Sequence, residues 1–366
     1  MANWKRAAGG GARPVGKAVA SATYPGRFRF RGGAVHHSDG QLVVAPTDLV
    51  NFLECPHLTD LSLRVASREL AEPRPQGVEE TAAKRRGLAH ERSYRVSLET
   101  LGRSVTSIDT ELGRAARVQA TLAALATGAD AIYQAAFFDD SQGQIAWVGY
   151  ADFLSRVETP SVLGPYSYEP EDTKLARHVR PGAVLQLCSY AEQLARLQGR
   201  APDLAHVVLG DRRRESLRLV EFSAYFRSAK AQFQEALAER KATYPNPVEH
   251  CALCLWRERC DERRAADDHL CLVPSLSTEQ RRRLVEGAAI STVTGLAAFT
   301  GTRVPGISAS ALEKLRRQAS LLVTRRRNPL EPPPYQLLPT NEPGLGLAAL
   351  PEPDGGDLFF DIEGDC

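Results

Sequence analysis

Two aspartates and a lysine in the middle of the chain have the types and spacing of a metal-dependent hydrolytic site. Asp152 follows the apolar run "AWVGYA", and Asp172 and Lys174 lie two residues apart further along the chain. Mg²⁺ and Mn²⁺ prefer carboxylate oxygens as ligands. Such an ion can activate water and polarise a phosphoryl oxygen, and the lysine adds a positive charge beside the same phosphate. This set of residues favours hydrolysis of a phosphodiester.

Gln186 and Tyr190 follow these acids with a spacing of four, so that on a helix they share one face. Each pair taken alone is a weak signal, because an Asp-x-Lys pair is most often a surface charge pair. Glu169 and Glu171 are also near Lys174, but neither has the two-residue spacing. The ordered set of Asp, then Asp-x-Lys, then Gln-x3-Tyr is much more specific.

The elements around these residues are predicted to be strands followed by a helix. "AIYQAAFFDD", "QIAWVGYADFLSRVE" and "YSYEPEDTKLAR" are typical of strands separated by turns. "PGAVLQLCSYAEQLARLQ" is typical of a helix stopped by Gly199. Side chains two apart on a strand share a face, which would place Asp172 and Lys174 together. The order of helices and strands predicts an α/β core with a mixed sheet.

Cysteines form a second candidate site. Cys251, Cys254 and Cys260 form a C-x2-C-x5-C cluster, and Cys55 lies far upstream. A bound metal needs a fourth ligand, which could be Cys55 or a nearer residue: His250, His269 or Cys271. Seven cysteines in 366 residues, with no apolar export segment at the start, favour a cytoplasmic protein whose thiols bind metal. Cys188 is predicted to be a buried apolar residue.

Charge and composition divide the chain into segments. The net charge of +2 does not by itself indicate nucleic acid, but residues 1–38 contain seven Lys or Arg and no Asp or Glu. No apolar run is long enough to cross a membrane. The predicted segments are a disordered basic arm (1–40), a main domain with the cysteines (41–272), a helical unit (275–325), a Pro/Gly-rich linker (326–357) and the cut-off start of a further domain (358–366).

The ordered motifs resemble those of RecB-like nucleases of the PD-(D/E)xK superfamily. "VGYAD" resembles motif II, "EDTK" motif III, "QLCSY" the trailing Gln-x3-Tyr motif, and "GLAHE" the upstream Gly-x-x-His motif. The resemblance covers roughly residues 45–265. It implies an α/β, restriction-endonuclease-like fold, with a mixed sheet flanked by helices and followed here by a small helical unit.

The same resemblance implies roles for individual residues. His90, Asp152 and Asp172 would bind Mg²⁺ or Mn²⁺, and Lys174 would position water and stabilise developing charge. Gln186 and Tyr190 would orient the site or contact DNA. Glu91, beside His90, is a lesser candidate ligand, and the alternative for His90 is an ordinary surface histidine.

The cysteine spacing resembles that of the iron–sulfur subset of these nucleases, which includes AddB-type and CRISPR-associated iron–sulfur nucleases. The resemblance implies a structural [4Fe–4S] cluster held by four thiolates: Cys55, Cys251, Cys254 and Cys260. Zinc and unliganded thiols are the alternatives.

Two C-terminal segments also resemble known modules. "TVTGLAAFTGTRVPGISASALEKLRRQASLL" resembles a helix–hairpin–helix, in which Lys314, Arg316 and Arg317 would contact phosphates; a plain helical hairpin is the alternative. "FFDIEGD" resembles the first motif of ribonuclease H-like exonucleases, with Asp361 and Glu363 as metal carboxylates. The layout is similar to the N-terminal part of multidomain nucleases that carry a ribonuclease H-like domain and sometimes a helicase.

The function expected from these resemblances is a Mg²⁺- or Mn²⁺-dependent DNA nuclease, an exonuclease on single strands or ends in DNA repair or processing. One alternative is a non-catalytic DNA-binding module that recruits a downstream nuclease or helicase. Another is a zinc-binding interaction protein.

Overall fold

The computed structural model describes residues 35–73, 78–141, 143–337, 344 and 346–358. Most of the predicted basic arm and nearly all of the predicted C-terminal domain, including Asp361 and Glu363, lie outside the described residues. The predicted end of the arm at residue 40 is wrong, because residues 36–38 form a strand that pairs with residues 41–43.

The chain divides into two compact units. The first comprises Met1–Leu53, Leu61–Ala71 and Gly77–Arg240, and the second comprises Glu54–Asp60, Glu72–Gln76 and Lys241–Cys366. This division differs from the predicted boundary at residue 272. The segments that carry Cys55, Cys251, Cys254 and Cys260 belong with the helical C-terminal unit and not with the sheet.

One eight-stranded mixed sheet forms the centre of the first unit. The strands are β1 (His36–Ser38), β2 (Gln41–Val44), β3 (Val105–Ser107), β4 (Ala131–Asp139), β5 (Ile145–Val157), β6 (Ser167–Thr173), β7 (Leu204–Val208) and β8 (Arg214–Arg218). Their main order is β1-β2-β5-β6-β7-β8, and β4 pairs with both β3 and β5. The β2–β5 and β6–β7 pairs are parallel, whereas β4–β5 and β5–β6 are antiparallel.

Strand β5 has a single partner strand along one edge and two partner strands along the other. Strand β4 occupies one edge from Trp147 to Ser155. The other edge is shared by β2, which pairs with residues 145–147, and β6, which pairs with residues 153–157. Residues 148–152 therefore have no strand partner on that edge among the described residues. The sheet is open at Gly149–Asp152, the Gly-x-x-Asp motif within the segment "VGYAD".

Helices cover both faces of this sheet. They are α1 (Pro46–Glu54), α2 (Pro56–Ala66), α3 (Val78–Thr100), α4 (Arg114–Thr127), α5 (Pro181–Gln198) and α6 (Leu219–Glu239). Leu154 packs in a large core with residues of α5 and α6, whereas its neighbour Phe153 packs with Leu98 of α3. Successive strand residues point to opposite faces, so α3 and the α5/α6 pair lie on opposite sides. The predicted α/β fold with a mixed sheet flanked by helices is confirmed.

A proline and an aspartate stabilise the start of α1. Helix α1 starts at Pro46, whose missing N–H costs nothing at a first helical position. Asp48, the third residue of the helix, supplies the reciprocal half of a capping box: its carboxylate accepts a hydrogen bond of 2.8 Å from the backbone N–H of Ala45, at the N-cap position. Thr47 Oγ1 is buried without a hydrogen-bond partner among the described residues.

The regular elements described in the second unit are helices. It contains α7 (Arg257–Ala266), α8 (Thr278–Ala288), α9 (Val293–Ala298) and α10 (Ala309–Arg327), with a core that includes Leu284, Leu296 and Leu312. Arg316 and Arg317 of α10 pair with Glu313, so the predicted phosphate contacts stay a prediction. In the described part of the chain, no helix has the length and apolar character needed to cross a membrane.

Candidate active site and cysteine cluster

Asp152 and Asp172 are brought together by the pairing of β5 with β6. The last recorded pair of this ladder is Phe153 with Glu171, so Asp152 and Asp172 are the next residues along the two strands and share one face. Asp152 Oδ2 accepts hydrogen bonds from the backbone N–H (2.9 Å) and the hydroxyl (2.8 Å) of Thr173. These bonds tie the end of β5 to the end of β6 and fix one carboxylate beside the other.

Glu169 and Glu171, the neighbouring acids of β6, point to the opposite face and already have partners. Glu169 Oε2 lies 2.8 Å from Nε2 of His206, and Glu171 Oε2 lies 2.6 Å from Nε of Arg214. Both glutamates are buried. Asp172 is therefore the β6 acid that faces Asp152.

Lys174 is ion-paired with this acid pair. Its Nζ lies 2.6 Å from Asp172 Oδ2, and its side chain is 39% exposed against 5% for Asp172. Burial, and then the charge of Asp152, hold the pKa of Asp172 well above its usual range. Burial lowers the pKa of Lys174, but the charges of Asp172 and Asp152 raise it by more, so the pKa of the lysine lies above its usual value. The site thus holds a cation beside two carboxylates that repel each other.

Glu91 of α3 is a third acid at this site. It is buried, and its carboxylate accepts hydrogen bonds from the side chains of Tyr133 and Gln134. Burial and the charge of Asp152 raise the pKa of Glu91, whereas Lys174 lowers it. The three acids and the lysine therefore interact as one electrostatic group.

Gln134 reaches Glu91 because strand β4 is distorted at this residue. Gln134 has a φ of +61°, which is rare for a residue with a side chain. It is not paired with a residue of β5, although the residues before and after it are, and the unpaired position lies opposite Asp152. Helix α4 supports the distortion: Arg117 donates to the carbonyl of Gln134 (3.2 Å), and Thr121 accepts from the N–H of Ala136 (2.9 Å). Distorted strands of this kind are frequent beside functional sites.

His90 lies at the edge of the same group. Its Nε2 is 3.4 Å from the carbonyl oxygen of Val208 on β7, the same oxygen that accepts the backbone N–H of Lys174 at 2.9 Å. The described contacts join His90 to the backbone beside Lys174 and do not join it to the carboxylates. Glu91, the lesser candidate from the sequence, makes the electrostatic contacts instead.

Tyr190 packs against the glycine of the Gly-x-x-Asp motif. A Cβ at Gly149 would lie 3.1 Å from Cε1 of Tyr190, and the tyrosine ring stacks on Phe137. Burial raises the pKa of Tyr190, and the charges of Asp172 and Asp152 raise it further. The tyrosine ring therefore forms an apolar wall of the acid pair. Gln186, one turn earlier, is half-buried, and none of the described hydrogen bonds involves its side chain.

Replacing Gly149 by alanine should push the Tyr190 ring away from the acid pair. Overpacking of this kind costs about 1–3 kcal/mol of stability, which urea unfolding measures. Gly113→Ala is the matched control, because an added Cβ there meets nothing within 4 Å and the φ of −63° suits alanine. Equal stability of the two variants would show that Tyr190 does not pack on Gly149.

The donor set fits a hard divalent cation. Asp172 Oδ2 is buried, and apart from the nearby Lys174 ammonium it has no hydrogen-bond partner among the described residues. Three acids with only one lysine leave excess negative charge, which Mg²⁺ or Mn²⁺ would neutralise. Within the described residues, no three His, Cys, Asp or Glu side chains are close enough to form a ready-made metal site. Metal binding would need the carboxylates to turn away from Lys174 and Thr173.

The four predicted cysteine ligands all fall in the second unit, although Cys55 is far from the others in the chain. Burial raises the pKa of Cys260 to about 11, and the neighbouring thiols of Cys254, Cys251 and Cys55 raise it too. Cys254 is affected by Cys251 and Cys55 in the same way. Cys55 therefore lies within electrostatic range of the C-x2-C-x5-C segment, and four thiols are the donor type that iron–sulfur and zinc take. As described, the thiols do not form a ready-made metal site, so metal binding would need them to draw closer together.

A buried arginine supports this group of thiols. Arg264 of α7 is 5% exposed, and its Nη2 lies 3.5 Å from Cys251 Sγ. Its other donors bind the carbonyl of Pro245 (2.5 Å) and the carboxylate of Asp261 (2.6 Å). The positive charge of Arg264 offsets part of the rise that burial causes in the pKa of Cys260 and Cys254, and so favours the thiolate form that metals bind.

Comparison with protein-family models gave no match, and comparison with curated protein sequences gave none either. Among solved structures, the crystal structure of SSO0001 is similar over 62% of this chain and 88% of its own, with 14% sequence identity and a TM-score of 0.32. A similarity at this level carries no argument about function. The function must be inferred from the site itself.

Proposed function

We propose that this protein is a Mg²⁺- or Mn²⁺-dependent nuclease that hydrolyses phosphodiester bonds in DNA, acting as an exonuclease on single strands or ends. The observation that carries the proposal is the pair Asp152 and Asp172 with Lys174 ion-paired beside it, at the point where the sheet is open between β2 and β6. The predicted motifs supply these three residues in that order.

Each residue has a role that follows from its position. A bound divalent ion would supply Lewis acidity and an activated water. Asp152 and Asp172 would hold it, with Glu91 completing the negative charge. Lys174 is half-exposed and can turn its ammonium from Asp172 to a phosphate oxygen, where it stabilises the charge that develops during the reaction. Tyr190 excludes water from one side.

Four thiols of the second unit, those of Cys55, Cys251, Cys254 and Cys260, are proposed to hold a structural [4Fe–4S] cluster. What supports this is their number, their shared electrostatic environment and the buried Arg264, whose N–H groups suit negatively charged sulfur. Zinc remains the competing occupant, because four thiolates also suit zinc.

A non-catalytic DNA-binding module is the alternative function. Such a module has no physical need for a buried carboxylate directly beside a second one, because burial and the charge of Asp152 make Asp172 costly to ionise. The acid pair therefore favours the catalytic proposal.

Cleavage of end-labelled single-stranded DNA tests the proposal. We expect degradation with Mn²⁺ or Mg²⁺ and none with EDTA, and a loss of about 10²–10³-fold in rate for Asp172→Asn. Asp139→Asn is the matched control: Asp139 is equally buried and ion-paired, with Arg196. Asp139 lies opposite Trp147 in the sheet. Trp147 is five residues from Asp152 along β5, so the two sites are about 17 Å apart along the strand. Wild-type protein that does not cut with either ion, or Asp172→Asn protein that cuts normally, would contradict the proposal.

A further inference from the structure

We propose that three exposed arginines beside the acid pair, Arg177, Arg180 and Arg212, bind the phosphate backbone of single-stranded DNA and lead it to Lys174. These three residues are called the arginine strip below. The inference rests on the proposed function for the choice of substrate, but it concerns binding, which is measured without cleavage.

The arginine strip lies on two chain segments that leave the sheet at the site. Residues 175–180 follow Lys174 directly, and residues 209–213 form the turn between β7 and β8. The backbone N–H of Lys174 donates to the carbonyl of Val208 (2.9 Å), and the N–H of Gly210 donates to the carbonyl of Ala176 (3.2 Å). The two segments therefore run side by side from the position of the catalytic lysine.

Gly210 shows how closely these segments approach. A Cβ at this position would lie 2.5 Å from the carbonyl oxygen of Leu175, a distance that no side chain tolerates. Arg213 adds a further link, because its Nη2 donates to the carbonyl of Arg177 at 3.1 Å. The turn and the segment after Lys174 thus form one continuous surface.

The charges of the arginine strip are not neutralised within the described part of the chain. No described carboxylate forms an ion pair with Arg177, Arg180 or Arg212, and all three are exposed. Arg282 and Arg283, by contrast, both pair with Glu279. Arg212 donates one hydrogen bond, to the neutral hydroxyl of Ser93 (2.9 Å). Phosphate can therefore bind all three arginines through charge-assisted hydrogen bonds without first breaking an ion pair.

Two further observations favour a single strand as the ligand. Helix α5 begins at Pro181, directly after Arg180, so the positive end of an 18-residue helix adds to the same surface. Asp172 is only 4% exposed. A flexible single strand can bend into such a recessed site, whereas the backbone of a stiff duplex cannot.

Binding of fluorescein-labelled oligo(dT) in EDTA tests the inference, because no cleavage occurs without a divalent ion. We expect Arg177→Gln/Arg180→Gln/Arg212→Gln to bind at least about 10-fold more weakly than wild type at moderate salt. Each lost phosphate contact should reduce the slope of log K against log salt by about 0.7, or about 2 for the three.

Arg200→Gln/Arg218→Gln/Arg227→Gln is the matched control. It removes the same charge from exposed positions, and Arg218 pairs with Leu204 at the opposite end of the β7–β8 hairpin from the turn. Equal weakening by both triple variants, or an unchanged salt slope in the arginine-strip variant, would overturn the inference. If wild type and control bind DNA but do not cut it with Mn²⁺, the proposed function fails while the binding surface stands.

Discussion

Replacing Lys174 by methionine is expected to reduce DNA cleavage by about 10²–10³-fold, because methionine keeps the length of the side chain and removes its charge. The loss should appear in kcat more than in KM, since the lysine acts on charge that develops in the transition state. Stability should fall by only about 1–2 kcal/mol, between the values for exposed and buried ion pairs, because the side chain of Lys174 is 39% exposed.

Arg196→Met is the control for this result. Arg196 is also ion-paired with a buried aspartate, Asp139, and its side chain is 38% exposed. The two variants should lose similar stability in thermal unfolding, and only Lys174→Met should lose activity. A Lys174→Met protein that cuts at the wild-type rate would mean that the catalytic cation lies elsewhere.

Replacing Cys55 by serine is expected to remove the iron of the anaerobically purified protein and to destabilise the second unit. Wild type should be brown and contain about four iron atoms per chain, and the variant should be nearly colourless. Because metal binding energy is also folding energy in such sites, thermal unfolding of the variant should begin at a much lower temperature. Iron, sulfide and zinc contents and the visible absorption spectrum are the measurements.

Cys271→Ser separates the two possible ligand sets. Cys271 is half-buried in the same unit, and burial raises the pKa of its thiol, but none of the four candidate ligands is among the main causes of that shift. We expect it to keep the full iron content. Iron that survives Cys55→Ser and is lost in Cys271→Ser would show that the fourth ligand is local. A colourless wild-type protein with stoichiometric zinc would replace the cluster with a zinc site.

Much of the sheet could be predicted from the sequence because its strands carry strong local signals. The alternating and apolar runs of β4, β5 and β6 are bounded by turn residues, and the αL glycine that ends α5, Gly199, is clear from its position. The sequence could not predict that β2 and β6 pair with different parts of the same edge of β5, because pairing between distant strands depends on the whole fold. Strand β1 was missed because three residues give too short a pattern.

The candidate site shows the same division. The two-residue spacing of Asp172 and Lys174 predicts a shared face, and the structure has an ion pair there. The position of Asp152 beside Asp172 comes from strand register, which spacing does not reveal. Gln134 has no sequence signal at all, because its positive φ is imposed by contacts with Arg117 and Glu91.

The membership of Cys55 in the second unit has a consequence for how the protein is made. During synthesis this cysteine appears well before Cys251, so the three cysteines proposed to share its metal do not yet exist when the sheet can begin to form. Joining the ends of so long a loop costs about 4–5 kcal/mol of chain entropy, which a bound metal would have to offset. Neither unit is one continuous piece of the chain, so a proteolytic fragment ending near Arg240 would keep Cys55 and lack the three other cysteines of the proposed cluster.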